Sequence, residues 1–351
     1  MTREELINTI KEGQVIEKAD LSGTDLTGAD LSGGIFEEVR FQGANLRGAD
    51  LRESIFTTPD FSGADMTGVI MRSTVMINAS LTGAVLKNAD MVNAKLTEAD
   101  MTGANLSGAD LTTAALISAT LTNADLSNTS LDRTFMHEAK LQGANLSDAN
   151  LKQTIMMDAV FEGTVFTGAK FELTMMLNTN LSGMDLSGMQ FTGVQFKGAD
   201  LSGVNFTGAD LTQANFMEVN LTEAVLDRVK AQYAIFMQAK MTKASLNGAF
   251  LRQTTFGEAD LTGADLSGAD LDSSIFEKSV CRAARFVGTN LTYCDFSHAD
   301  LSGADMSQAR LFRAKLHRIT EEHTRWDAAG RAQALGTDTE RAEAEDWKVE
   351  L

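Results

Sequence analysis

The chain of 351 residues contains one proline, two cysteines and four histidines, and its 30 basic residues are outnumbered by 48 acidic ones. Two cysteines exclude a disulfide framework. The net charge of −18 leaves little to neutralise phosphates, which argues against direct nucleic-acid binding. No apolar run approaches the ~18 residues of a membrane span, and the start lacks the hydrophobic region of a signal peptide. We therefore expect a cytoplasmic protein without a membrane span, although non-classical secretion stays open.

An uninterrupted repeat occupies most of the chain. From Ile16 to Leu316 every fifth residue is apolar, nearly always Leu, Phe or Met, and no insertion breaks the frame. The residue two places before this central position is small, the one directly before it is often Asp or Asn, and glycine often follows two places later. A period of five leaves no apolar stripe on a helix. In extended backbone it places the small and the central residue on one face, and a turn must follow every five residues. Stacked five-residue steps with corners predict a solenoid with the large side chains inside.

The number of sides per coil follows from the distribution of phenylalanine. One column of central positions, spaced by 20 residues from Ile16 to Leu316, is rich in Phe and Met. Such residues stack directly only if each coil has four sides. We call this the Phe/Met column, and its predicted phenylalanine core is Phe36, Phe56, Phe196, Phe216, Phe236, Phe256, Phe276 and Phe296.

The repeat resembles that of the pentapeptide-repeat family, in which A-(D/N)-L-x-x recurs in tandem. Ala19-Asp20-Leu21-Ser22-Gly23 and Ala264-Asp265-Leu266-Ser267-Gly268 match this pattern residue by residue, and the resemblance covers residues 16–316. It implies an all-β solenoid, a right-handed quadrilateral β-helix of about 15 four-sided coils at ~4.8 Å spacing.

Both ends of such a coil need caps, because the terminal coils expose unpaired backbone. We assign residues 1–15 as a helical N-terminal cap, because Thr2 and Glu5 form a capping box and Gly13 ends the helical pattern. The repeat pattern stops after Leu316. Residues 317–351 are predicted to form a partly helical C-terminal cap or tail, with a helix beginning near Thr339, that either covers the rod end or contacts a partner.

The sequence contains no recognisable catalytic, metal or cofactor constellation, so we predict that the protein is not an enzyme and has no cofactor. His137, His298, His317 and His323 lack metal-ligand spacing and are predicted to be exposed at or beyond the corners. Cys281 and Cys294 fall on inward positions, which predicts buried, inert thiols. The many aspartates are expected to accept hydrogen bonds from nearby backbone.

One side of the predicted rod departs from the repeat. The outward residues flanking the Phe/Met column are unusually apolar, and the next corner carries several glutamates. We call this side the Phe/Met face and predict that it is a protein-interaction surface; relaxed selection on one side is the alternative. The candidate interaction residues are Ile35, Ile55, Val75, Ile77, Ile117, Phe135, Ile155, Met157, Met175, Leu177, Met217, Ile235, Met237 and Ile275.

These features favour a non-enzymatic scaffold that docks a protein partner, or a second copy of itself, along the Phe/Met face. The lead-in segment and the acidic tail with Trp326 and Trp347 are similar to pentapeptide-repeat proteins of bacterial type VI secretion loci, which implies an accessory or effector-delivery role. The family resemblance also implies an alternative, a DNA mimic that binds a type II topoisomerase such as DNA gyrase. A DNA duplex as long as the predicted rod of about 15 coils carries roughly 42 negative charges. The net charge of this chain is only −18, which speaks against a DNA mimic.

Overall fold

The computed structural model of this chain describes residues 1–347, which form two compact units, Met1–Thr179 and the described residues from Asn180 onward. Each unit is built from stacked four-sided coils. Residues 20 apart form parallel bridges on every side, from Asp20↔Arg40 to Ile155↔Met175 in the first unit and from Asn180↔Asp200 to Lys315↔Leu335 in the second. The period of 5 × 4 residues inferred from the phenylalanines is therefore the period of the backbone.

The first unit begins with the predicted cap. Helix α1 spans Arg3–Lys11, and Thr2 and Glu5 form the predicted reciprocal capping box. Leu6 of α1 is fully buried, and α1 contacts the first strand. Strands β1 (Val15–Glu17), β2 (Ile35–Glu37), β3 (Ile55–Thr57) and β4 (Val75–Ile77) pair in parallel in the order β1-β2-β3-β4. All four lie on the Phe/Met face; the other sides pair through single residues.

Each corner is a tight turn that explains the glycines. The Leu26 carbonyl accepts a hydrogen bond from the Ala29 N–H at 2.9 Å, and Gly28 between them has φ +61°. This is the left-handed region, which glycine enters without a steric penalty. Five residues thus make one side and one corner, so strands stay short and most pairing is by isolated bridges.

The central residues fill the interior as predicted. Phe236 is fully buried between Phe216 and Phe256, with ring centroids 4.8 and 5.0 Å away and nearly parallel rings. Hydroxyls occupy the small inward positions of the same side; Thr134 Oγ1 donates to the Leu111 carbonyl at 2.8 Å. This buried hydroxyl is thereby paired and does not destabilise the core.

The second unit departs from expectation at its end. The regular run of apolar central residues ends at Leu316, yet the coiled backbone continues, because Asp300 bridges to Thr320, Asp305 to Arg325 and Lys315 to Leu335. Backbone pairing with the preceding coil maintains this geometry although Glu321 replaces one apolar central residue, and the next central position holds the half-buried Trp326. A 3-10 helix (Arg331–Gln333) and helix α2 (Thr339–Asp346) follow. The start of α2 agrees with the predicted position, and the last four residues of the predicted tail lie outside the described part of the chain.

No helix among residues 1–347 is long and apolar enough to cross a membrane.

Candidate interaction surfaces

In the first unit the candidate interaction residues flank the Phe/Met column and point outward. The central residue of each side is buried, so the residues before and after it are turned toward solvent. Ile55 and Phe135 remain 45% and 44% exposed. The ten candidate residues of this unit, all exposed or half-buried, are Ile35, Ile55, Val75, Ile77, Ile117, Phe135, Ile155, Met157, Met175 and Leu177.

An acidic corner borders this part of the Phe/Met face. Glu138 and Asp158 occupy the same corner of adjacent coils, and His137 is the basic side chain near them, at 3.4 Å and 3.8 Å. Ser118 also donates to Glu138 at 2.9 Å. Within the described part of the chain, neither carboxylate has a Lys or Arg partner at ion-pair distance. Two neighbouring negative charges without a strong cation create a local preference for a basic ligand.

In the second unit the apolar part of the same face is shorter. Met217 and Ile235 are half-buried, and Met237 and Ile275 are 36% and 42% exposed. Farther along this side, the residues that directly follow the central residues Phe276, Phe296 and Leu316 are Glu277, Ser297 and His317. Helix α2 contacts all three, so the tail covers the end of this face.

Contacts between α2 and the coil centre on Glu345. Its Oε1 accepts from His298 Nε2 at 3.2 Å and its Oε2 accepts from His317 Nε2 at 3.1 Å. Arg318 lies 3.4 Å from the same carboxylate, and Arg341 of α2 donates to it at 2.8 Å. The His317 hydrogen bond is the largest of the effects that lower the pKa of Glu345 to about 2, so its carboxylate is charged at neutral pH.

Three of the four histidines differ from their predicted exposure. His317 was predicted to be exposed but is 2% exposed, because α2 folds over it. His298, at the preceding corner, is half-buried for the same reason. His323 is exposed at a corner as predicted, and His137 is half-buried beside the acidic corner.

His298, His317 and Glu345 are the one group in residues 1–347 whose ligand atoms lie close enough to hold a metal ion, all within 4.8 Å. The proton arrangement does not suit a metal. The Asp338 N–H donates to His317 Nδ1 at 3.1 Å, so the hydrogen of the neutral ring is on Nε2, which faces Glu345. A metal on Nε2 would require the hydrogen on Nδ1, opposite another N–H, whereas metal-binding histidines normally donate from that second nitrogen.

The aspartates and cysteines have the structural roles expected from the sequence. Asp25 Oδ1 accepts from the Thr27 N–H at 3.1 Å and from its hydroxyl at 2.6 Å, and these bonds lower the pKa of Asp25. Burial raises the pKa of Cys281 to about 12 and also raises the pKa of Cys294. Both thiols are buried and unpaired with each other, so neither is poised as a nucleophile.

The sequence interpretation missed four exposed aromatic side chains in the second unit, two at the corner before the Phe/Met column and two on the preceding side of the coil. Tyr233, Phe250, Tyr293 and Phe312 are each about half exposed, and the Tyr293 and Phe312 rings meet edge to face at 5.8 Å. The signal was present, because Tyr233 and Tyr293 replace the glycine or polar residue usual at a corner.

Comparison with known proteins identifies the family. Models of pentapeptide repeats match residues 12–33, 35–72, 74–112, 109–148, 205–242, 239–277 and 279–318, and a model of a pentapeptide repeat region matches 132–206. The chain belongs to the pentapeptide repeat family. Together with the coil geometry, this confirms the predicted right-handed quadrilateral β-helix with short terminal helices. No curated protein matches the chain.

Among solved structures, HetL from the cyanobacterium Nostoc sp. strain PCC 7120, involved in heterocyst differentiation regulation, is 26% identical over 64% of this chain and 91% of its own, with TM-score 0.29. A pentapeptide repeat protein of the Arabidopsis thaliana thylakoid lumen is 35% identical over 27% of this chain and 66% of its own, with TM-score 0.27. The plasmid-mediated fluoroquinolone resistance protein QnrB1 is 18% identical over 67% of this chain and 92% of its own, with TM-score 0.28.

Proposed function

We propose that this pentapeptide repeat protein is a non-enzymatic scaffold that docks a protein partner, or a second copy of itself, along the Phe/Met face. The observation that carries the proposal is the row of outward apolar side chains on the first unit. Over about eight coils at ~4.8 Å spacing and ~10 Å width, this row covers on the order of 400 Å². Patches of this size on soluble proteins are often binding sites.

The borders of the face indicate the chemistry of the partner. Glu138 and Asp158 lie beside Phe135, Ile155 and Met157 without a Lys or Arg at ion-pair distance in residues 1–347. A partner segment with apolar side chains flanked by Lys or Arg would bury the apolar row and pair with these carboxylates. A second copy would bring the same acidic border opposite itself, so a basic partner is favoured over a homodimer.

A narrower form of the proposal is an accessory or effector-delivery role in bacterial secretion. Its support comes from the flanks, the N-terminal lead-in that forms α1 and the tail with Trp326 and Trp347.

A DNA mimic, the alternative that the family resemblance implies, is less well supported by the surface charge. Many outward carboxylates are matched by arginines of neighbouring coils, as in Asp20–Arg40 at 2.7 Å and Asp65–Arg47 at 3.1 Å. Such pairs reduce the continuous negative charge that a duplex presents. The apolar row further separates the acidic stretches.

The decisive experiment replaces two residues of the face by aspartate. Phe135→Asp and Ile155→Asp put Asp directly before a central residue, where the repeat normally has it, so the coil should stay folded. We expect this double variant to lose at least about tenfold in partner affinity or self-association, because apolar interface centres dominate binding.

The matched control is Val160→Asp with Val165→Asp. These valines are 41% and 45% exposed in the same unit but lie on other sides of the coil. The control introduces the same charge at equivalent repeat positions and should bind like the unmodified chain. Equal binding by all three proteins would contradict the proposal. Loss of gyrase inhibition only on reversal of exposed acids such as Glu162→Lys would support mimicry instead.

A further inference from the structure

Three basic side chains of the second unit, His298, His317 and Arg318, form a cluster that we call the basic notch. Two adjacent carboxylates of α2 occupy it. Glu345 is hydrogen bonded by both imidazoles, and Asp346 is paired with Arg318. Arg318 also donates to the Ala342 carbonyl at 2.7 Å. The notch therefore recognises both the side chains and the backbone at the end of a helix.

Both imidazoles of the basic notch donate a hydrogen bond to the Glu345 carboxylate. Glu345 is ionised and can only accept, so His298 Nε2 and His317 Nε2 must each present a hydrogen to it. His317 is held in this tautomer by the Asp338 N–H on its other nitrogen. Hydrogen bonds to a charged carboxylate are about twice as strong as neutral ones. With the α2 segment in place, both imidazoles therefore present a hydrogen to the carboxylate.

Helix α2 has little else that holds it in place. None of its residues is buried, and eight residues are too few to make a stable isolated helix in water. Besides the notch, the side-chain hydrogen bonds and ion pairs that join α2 to the coil within residues 1–347 are those of Arg341, 3.7 Å from Glu277 and 3.3 Å from the Ser297 hydroxyl. The preceding residues Thr337 and Asp338 also bond to Arg318 and His317. The polar contacts at the notch therefore decide whether α2 is docked.

We propose that the basic notch is a binding site for acidic helical segments, and that Glu345 and Asp346 of α2 occupy it as a detachable intramolecular ligand. A tethered ligand acts at an effective concentration of about millimolar, so only a tighter or more abundant acidic segment displaces it. Displacement would uncover Glu277, Ser297 and His317, beside Ile275 of the Phe/Met face. This inference extends the proposed function but does not depend on it.

The first test compares two full-length double variants by amide hydrogen exchange. Glu345→Gln with Asp346→Asn removes the charges that occupy the notch, whereas Glu340→Gln with Glu343→Gln removes two charges from exposed positions of the same helix. We expect α2 amides to exchange at least about tenfold faster in the first variant only. Both changes lie in an exposed helix, so circular dichroism of the coil should be unchanged. Equal α2 exchange in both variants would overturn the proposal.

The second test uses a fluorescein-labelled peptide with the sequence of residues 337–347. The full-length Glu345→Gln, Asp346→Asn protein has an emptied notch and should bind this peptide saturably, at least about tenfold more tightly than the unmodified chain. A peptide carrying the same Gln and Asn changes should not bind. Absent binding, or equal binding of both peptides, would overturn the proposal. Phe135→Asp with Ile155→Asp should leave peptide binding unchanged, so failure here is distinct from failure of the proposed function.

Discussion

At the scale of single residues, the interior of the coil is stabilised by stacking along the Phe/Met column. Phe236 lies between Phe216 and Phe256 and is surrounded by other central residues, so its ring has no exposed surface. In such close packing the neighbours above and below cannot move into a cavity without breaking their own backbone bridges.

We therefore expect Phe236→Ala to reduce the free energy of unfolding by about 3–5 kcal/mol, through lost burial and an unfilled cavity. The control is Ile235→Ala at the neighbouring outward position, which should cost less than about 1 kcal/mol because that side chain is half-exposed. Denaturant unfolding measures both. Equal losses would contradict the inward assignment of the column.

Corner residues give a second prediction at this scale. Gly268 has φ +68° and an added Cβ would meet nothing within 4 Å, so backbone strain is the main effect of Gly268→Ala. We expect a loss of about 1–2 kcal/mol in unfolding free energy. Gly336 is also sterically open but lacks a positive φ, so Gly336→Ala should be neutral or slightly stabilising. Similar losses for both variants would show that strain is not the cause.

At the scale of elements, the two helices are attached in different ways. Helix α1 buries Leu6 and contacts β1, so the hydrophobic effect holds it on the first coil. Helix α2 buries nothing and is attached through charged groups. Acid weakens both attachments, because the hydrogen bond from the Thr2 N–H also lowers the pKa of Glu5, but the burial of Leu6 should keep α1 on the coil when α2 undocks.

The pKa of Glu345 fixes the direction of that pH dependence. Its ordinary value of 4.5 is lowered to about 2 when α2 is docked, chiefly by the His317 hydrogen bond and also by His298 and Arg341. A lowered pKa in the docked state means that docking is fully stabilised above about pH 4.5 and that this stabilisation disappears as the pH falls toward 2. Nuclear magnetic resonance of α2 amides should show undocking in this window. Pairing with Arg318 also lowers the pKa of Asp346, so the transition should be absent only in Glu345→Gln with Asp346→Asn; its persistence there would show that another group controls docking.

The periodic elements were predictable, but the contacts of α2 were not. Each position of the repeat has one role in every coil, so residues such as Leu26, Gly28 and Asp25 reveal the backbone by recurrence alone. The burial of His317 depends on Glu345, 28 positions later in a segment without periodicity. No local pattern indicates that pairing. The coil beyond Leu316 was also missed, because Glu321 interrupts the apolar central pattern while the backbone bridges continue.

At the scale of the whole molecule, the net charge opposes self-association whereas the apolar Phe/Met face favours it. The net charge of −18 makes copies repel one another, and the acidic border at Glu138 and Asp158 would face itself in a dimer through this face. Apolar association is little weakened by salt, whereas charge interactions are screened, with a Debye length of about 10 Å at 0.1 M and 3 Å at 1 M. The salt dependence of binding therefore distinguishes a second copy of the chain from a basic protein partner.

We expect self-association through the Phe/Met face to strengthen between about 0.05 and 1 M sodium chloride, because screening removes the repulsion while the apolar contacts remain. Binding of a basic partner should weaken over the same range, because its attraction to Glu138 and Asp158 is screened. Sedimentation velocity of the full chain measures the first effect, and affinity measurements on the captured partner measure the second.

The aspartate variants test whether the salt-dependent association takes place through the Phe/Met face. Phe135→Asp with Ile155→Asp should abolish salt-promoted self-association, because it removes apolar area and adds two charges at the centre of the row. Val160→Asp with Val165→Asp adds the same charge elsewhere on the unit and should retain association at 1 M salt, where long-range repulsion is screened. Association that survives in the first variant and disappears in the second would place the contact on another side of the coil. Loss in both would indicate that net charge controls association.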